Sequence, residues 1–216
     1  MITVLEGLND TSRKLNENTV VQTTLRKGLY ADAVEYFCNF KKWKFLLKED
    51  DSLTTTSSRT YSITTITDIR FPGGIKEITI GDSGLAILPI DWEDRNNEQY
   101  TNELRFYVTP DEASIVFTQD VTAGETIHIW YYQVPSRKTE NTDTYPIPQR
   151  YRGALGELAA AYVQYARYLD AQADKKYNLF LRQLETIENN QTERNYGNPK
   201  KFGNYLQRIN FRRIYR

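Results

Sequence analysis

Between Thr19 and Leu47, apolar side chains recur every three or four residues. Val21, Leu25, Leu29, Ala33, Phe37, Phe40, Trp43 and Leu47 fall on one side, with polar residues opposite. That spacing predicts one long amphipathic helix. Thr19 followed by Gln22 predicts a capping box at its start, where side chains and backbone amides satisfy each other reciprocally. Asp50-Asp51 marks the end of the helical period.

From Ser52 the period becomes two and the composition shifts to Thr, Ser, Ile and Tyr, which pack well on a pleated surface. Strands are expected at Thr60 to Ile66, Lys76 to Ile80, Leu85 to Pro89, Leu104 to Val108, Ala113 to Phe117 and Thr126 to Val134. Short breakers separate them, among them Pro72-Gly73-Gly74, Gly81 to Gly84, Pro110 to Glu112 and Thr122 to Glu125, so neighbouring strands should be antiparallel. Leu104, Phe106 and Val108 alternate with Arg105 and Tyr107, the pattern of a sheet with one wet face. A small sandwich or barrel is the expected closure.

After a polar linker, Pro135 to Pro148, the helical period returns from Gln149 to Glu188 through Tyr151, Leu155, Leu158, Tyr162, Tyr165, Leu169, Ala173, Tyr177, Leu181 and Leu184. Pro148 suits a first helical turn. A straight helix of that length would reach about 60 Å, too long for a unit of this size, so a break near Asp170 to Gln172 is expected. The fold class read from the chain is α+β. A helical bundle, made of an N-terminal helical part (residues 1–48) with its one long helix and a C-terminal helical hairpin (146–188), carries an inserted antiparallel β-sandwich or barrel-like domain (49–145). An extended basic C-terminal tail (189–216) follows.

Charge sharpens the reading of that tail. The 216 residues hold 28 basic and 28 acidic side chains, so the whole chain gives no reason to expect nucleic-acid coating or attachment to an anionic membrane. From Asn189 onward the apolar period fails, and seven basic residues stand against Glu193 alone, a net +6 that leaves −6 for the rest. Rings are interleaved with the cations, and Tyr196, Lys200, Lys201, Phe202, Tyr205, Arg208, Phe211, Arg212, Arg213, Tyr215 and Arg216 are the candidate partner-binding residues. Such a segment suits either a docking peptide or a single-stranded nucleic acid. Burying its five rings contributes roughly 7 to 15 kcal/mol gross, while ordering backbone costs about 1 to 2 kcal/mol per residue. Added hydrogen bonds, or many copies engaged at once in one assembly, are therefore needed to hold it. An aromatic content of 13%, with 16 Tyr, fits half-wet interfaces of that kind.

Reactive chemistry is sparse. His128, the single histidine, lies between Ile127 and Ile129 in an expected strand, which favours a structural hydrogen bond over general-base work. Cys38, also single, falls among the apolar positions of the first helix, rules out an internal disulfide, and fits folding in a reducing cytoplasm. A Cys-His nucleophile pair would require Cys38 to leave the core. Asp50-Asp51 and Asp91 to Asp94 are the tightest acidic clusters but lack the loop spacing of a calcium site, and the glycine pairs lack phosphate-cradling spacing. No catalytic, cofactor or metal residues are assigned. No apolar run reaches the ~20 residues that span a bilayer, and Met1 to Asn18 lacks a signal-peptide pattern, so no membrane partner is expected.

Phe40-Lys-Lys-Trp43-Lys-Phe45-Leu46, followed by Leu53-Thr-Thr-Thr56 and Tyr61-Ser-Ile63, resembles the first helix end and first strand of tailed-bacteriophage head-to-tail connector, or adaptor, proteins. Leu104-Arg-Phe106, Ile127 to Pro135, Tyr145 to Pro148 and Tyr151-Arg-Gly-Ala-Leu155 resemble that family's last strands and C-terminal helix pair. The likeness extends over residues 19 to 188 and departs where Thr64 stands in place of a frequent proline. It implies a structural virion protein without enzymatic activity or cofactors, made in the host bacterial cytoplasm and located at the head-tail junction. It further implies a homo-oligomeric ring, commonly of about twelve copies, under the portal at the DNA-exit vertex. The C-terminal tail would bind the portal, the β-domain would meet a further neck or tail protein, and packaged DNA would pass through the lumen. Two other functions compete: a single-stranded nucleic-acid binder using the tail, and a carbohydrate-binding β-module with Trp92, Tyr100, Tyr107 or Trp130 as its platform.

Overall fold

Thr3 opens the first helix. Its hydroxyl accepts from the Glu6 amide at 3.1 Å, and its own amide donates to Glu6 Oε2 at 2.9 Å, completing a capping box. The computed structural model describes residues 1–66, 68–70, 73–81 and 84–196, and within them all side chains except those of 98, 101 and 190–196. Helix α1 is Val4–Lys14, a helix that the apolar period does not announce because Gly7, Asp10, Thr11 and Ser12 are buried beside Val4 and Leu8. A Cβ on Gly7 would stand 2.0 Å from Tyr30 Cζ, so the ring of the next helix rests directly on α1 backbone. Gly7→Ala is expected to push Tyr30 aside and destabilise the fold by about 1–3 kcal/mol in urea melts.

The long helix expected from Thr19 to Leu47 is shorter at both ends. Helix α2 is Thr24–Phe40, and its cap is Thr23, whose hydroxyl accepts from the Arg26 amide at 3.3 Å; the capping box expected at Thr19 and Gln22 is not used. Its C-terminal limit is set by Trp43, which turns back over the last turn. The indole Nε1–H donates to Phe37 O at 2.7 Å, taking one of the carbonyls a helix end leaves open, and the indole stacks on Phe37 with centroids 4.7 Å apart. After a short 3-10 turn, Lys44–Leu46, the chain enters strand β2, Leu47–Thr54, so Leu47 belongs to a sheet.

Strands β3 (Thr60–Ser62), β4 (Ile75–Ile80), β5 (Phe106–Val108), β6 (Ser114–Phe117) and β7 (Thr126–Tyr132) follow, each matching an expected strand and usually shorter. A four-residue helix α3, Glu98–Thr101, lies between β4 and β5. Strand β7 is central in the order β2-β7-β4, and β6 is central in β3-β6-β5, with every strand pairing antiparallel. At the chain start, β1 (Ile2–Thr3) pairs with β8 (Thr144–Tyr145).

One expectation for the strands fails. Leu85 to Pro89 is not a strand; it makes isolated bridges, Ile78 to Ile87 on one side and Pro89 to Phe106 on the other. This segment links β4 and β5 only through single bridges, and of the sandwich or barrel expected, no sheet among the described residues closes into a barrel.

Helices α4 (Arg152–Ala166) and α5 (Asp170–Tyr196) follow the linker. The break expected at Asp170 to Gln172 falls at Arg167 to Leu169. There the Tyr168 amide donates to Tyr165 O and the Leu169 amide to Gln164 O, both at 3.0 Å, a Schellman closure with Tyr168 at φ 59° where glycine is usual. Pro148 precedes the turn Gln149–Tyr151 that leads into α4. The result is a mixed α and β chain with two separate apolar clusters. One gathers α1, α2, α4 and α5 around Phe37, Leu155, Leu158 and Phe180; the other gathers the strands around Ile78, Phe106, Ile115 and Ile129.

Candidate partner-binding surfaces

The elements that carry the C-terminal segment are fixed by an aromatic cluster. Phe37 contacts Trp43, Phe45, Tyr151 and Phe180, with ring centroids 4.7 to 6.5 Å apart, so α2, the turn after it, the entry to α4 and the middle of α5 meet at one side chain. Tyr36 and Tyr177 add a hydroxyl-to-hydroxyl hydrogen bond of 2.8 Å between α2 and α5. Lys41 pairs with Glu188 at the far end of the contact. Helix α5 is thus held against α2 from Tyr177 to Glu188, and this end of α2 adjoins the strands, since neighbouring Lys42 places its ammonium 6.0 Å from the Tyr132 ring of β7.

Three ion-pair nodes lock α1 and the loop after it to the other helices. Arg152 on α4 reaches Glu6 and Asp10 on α1. Glu157, buried in the middle of α4, receives Lys14 of α1 at 2.9 Å and Lys176 of α5 at 3.3 Å. Glu17 accepts two hydrogen bonds from the buried Arg26 guanidinium, at 3.0 and 2.8 Å, and one from Arg167 at 2.9 Å. Each of these carboxylates pairs with a cation from another part of the chain.

Beside the Glu17 node, the α4–α5 turn presents Tyr168, 91% exposed, with Leu169, and α2 opens with exposed Leu25. Large apolar groups held in water are costly unless a partner covers them.

The candidate reactive residues lie apart. Cys38 is fully buried in the helical cluster, and burial pushes its thiol up to about 12, away from the thiolate that a nucleophile needs. His128 sits on the outer side of β7, Nδ1 2.9 Å from Glu49 Oε1 of β2. The two belong to different parts of the fold. Asp91 leads into the short 3-10 turn Trp92–Asn96 that holds Glu93 and Asp94, and among the described residues no group of three or more His, Cys, Asp or Glu is placed to hold a metal ion. Trp92, named above as a carbohydrate platform, has Arg95 over its ring at 4.0 Å and Tyr107 edge-on at 5.2 Å. No helix of the described residues is long and apolar enough to cross a membrane.

Of the candidate docking residues, Tyr196 ends α5, and Lys200, Lys201, Phe202, Tyr205, Arg208, Phe211, Arg212, Arg213, Tyr215 and Arg216 lie outside the described residues. What sequence reasoning missed is the anchorage of the helix that bears them. Glu17, buried Arg26 and Glu157 are polar residues at helix contacts, and hydrophobic periodicity is blind to those.

The described residues form a clasped set of helices joined to an antiparallel β-region. The family model described as SU10 adaptor protein matches residues 2–202, nearly the whole chain, and the chain belongs to that family. It is a phage structural adaptor protein, which implies contact with other virion proteins and is consistent with a place in the virion. No curated protein matches the chain.

Proposed function

We propose that the chain is a non-catalytic subunit of a head-to-tail adaptor ring that binds the portal at the DNA-exit vertex and links it to a further neck or tail protein. The observation that carries this reading is the adaptor-family match over residues 2–202, in a chain whose net +6, ring-bearing segment follows directly from an anchored helix. Residues 1–48 and 146–188 form the helical part that packs against neighbouring copies. Residues 49–145 form the β-domain that meets the next protein, and 189–216 form the tail that docks on the portal. Packaged DNA passes through the lumen.

Residues Arg208, Phe211, Arg212, Arg213 and Tyr215 anchor the tail, the cations supplying charge-assisted hydrogen bonds and the rings supplying buried area. A tail repeated around a ring binds at high effective concentration, so modest single contacts suffice. Mixing the protein with isolated portal rings is expected to give a complex that sediments faster than either component. Deleting Asn189 to Arg216 is expected to abolish that complex while the circular dichroism melt of the remaining chain persists. Undiminished binding by the truncated chain would overturn the reading. A tail that instead serves single-stranded nucleic acid would show filter-binding affinity falling steeply between two salt concentrations.

A further inference from the structure

A groove at the seam between the two sheets is used by nothing described so far. Ile80, Leu85, Ile87, Leu88 and Leu104 line this open groove of about 540 Å³, and at its edge Glu103 pairs with Arg105 at 2.5 Å, so the acidic character lies in the surrounding β-region and not in the groove itself. Leu85 is 90% exposed and Leu88 45% exposed, so two large apolar side chains stand in water at its mouth. The carboxylate side chain of Glu103 is 55% exposed.

Two further observations say what fits there. Residues 47–133 hold fifteen acidic against six basic side chains, a net −9, while residues 189–216 hold seven basic against one acidic. An apolar groove in acidic surroundings is complementary to a segment that alternates rings with cations. The second observation is placement. The Lys41–Glu188 pair brings α5 to the end of α2 that adjoins the strands. Strand β4 runs from Ile75, paired with Tyr131 near that junction, to Ile80 at the groove, roughly 20 Å at the ~3.3 Å rise of a strand. The twenty residues after Tyr196 span up to about 65 Å when extended.

We propose that this groove is the docking site for the chain's own residues 197–216, with a ring from among Phe202, Tyr205, Phe211 and Tyr215 seated against Leu85, Leu88 and Leu104. A tethered segment within reach acts at roughly millimolar effective concentration, which favours the chain's own segment over that of a second copy. The inference does not depend on portal binding. Since one segment cannot occupy two places, any other surface that takes it must first draw it out of the groove.

Trypsin reports the occupancy, because its sites at Lys200, Lys201, Arg208, Arg212 and Arg213 lie within the docked segment. In the full chain at low salt, cleavage at these sites is expected to be about tenfold slower than in the L85D/L88D variant. Both substitutions are at solvent-exposed positions, and an unchanged thermal melt verifies the fold. A second variant with Phe202, Tyr205, Phe211 and Tyr215 replaced by Ser leaves the groove intact and is expected to be cleaved as fast as the first. Equal cleavage of the native chain and both variants would overturn the proposal. Carbodiimide coupling of an equal mixture of light and isotopically heavy full chains identifies the source. Links from Lys200 or Lys201 to Glu103 within one label are the expected result; links joining light to heavy would seat the segment of a second copy and overturn the own-chain assignment.

Discussion

Replacing Phe37 by alanine is expected to lower the unfolding free energy by about 3–5 kcal/mol, the range for emptying an aromatic site in a core that cannot collapse around it. Phe37 has no solvent exposure and touches four rings from three other segments, Trp43 and Phe45 of the turn after α2, Tyr151 and Phe180. No single neighbour can fill the space without releasing the others. The Phe37 carbonyl also accepts the Trp43 indole N–H, so backbone movement on relaxation would cost a second contact. Urea titration of the variant checks this, and a loss below about 1 kcal/mol would mean that the cluster is not a shared anchor. A loosened α5 follows from the same variant, because Phe180 is its deepest ring.

Glu17→Ala carries the second large effect. Arg26 is buried, with 4% of its surface exposed, and its guanidinium is paired by Glu17; removing the carboxylate strands a buried cation, which costs about 3–5 kcal/mol. The pH dependence has a defined sign. Hydrogen bonds from Arg26, then from Arg167, outweigh the opposing effect of burial and hold the Glu17 carboxyl at about 2, against an ordinary 4.5. A depressed folded-state value means that the stabilisation is fully present above pH 4.5 and is lost as pH falls from there toward 2. The gap in melting temperature between native chain and variant is therefore expected to be constant near neutrality and to close across that acid window. A gap that stays constant down to pH 2 would show that Glu17 contributes shape and not charge.

Much of the fold was legible in the sequence wherever burial follows a simple period. Leu29, Ala33 and Phe37 point inward as their spacing requires, and β7 alternates buried Ile127, Ile129 and Tyr131 with half-buried His128, Trp130 and Tyr132. The misses share a cause, which is that tertiary contacts decide what local pattern leaves open. Leu25 and Phe40 fit the helical stripe, yet Leu25 is 70% and Phe40 39% exposed, because the buried side of α2 is centred on Arg26, Leu29, Tyr30, Ala33, Val34 and Phe37. Strand β2 reads as charged because it is an edge strand whose side chains mostly face water; its pairing with β7 supplies the structure that its composition does not advertise. Helix α1 buries Gly7, Asp10, Thr11 and Ser12, so only its cap, Thr3 with Glu6, was there to be read. The sequence marks the charged segment itself, whereas the buried ion pairs and the Phe37 cluster that hold α5 come from residues far apart in the chain.

The role at the head-tail junction is tested most directly by imaging assembled particles at a resolution sufficient to count and place subunits. Density for this chain is expected as a closed ring between the portal and the next neck or tail protein, with C-terminal segments on the portal side and the β-region away from it. A particle in which the chain lies elsewhere, or in which the portal joins the tail with no such ring between them, would contradict it.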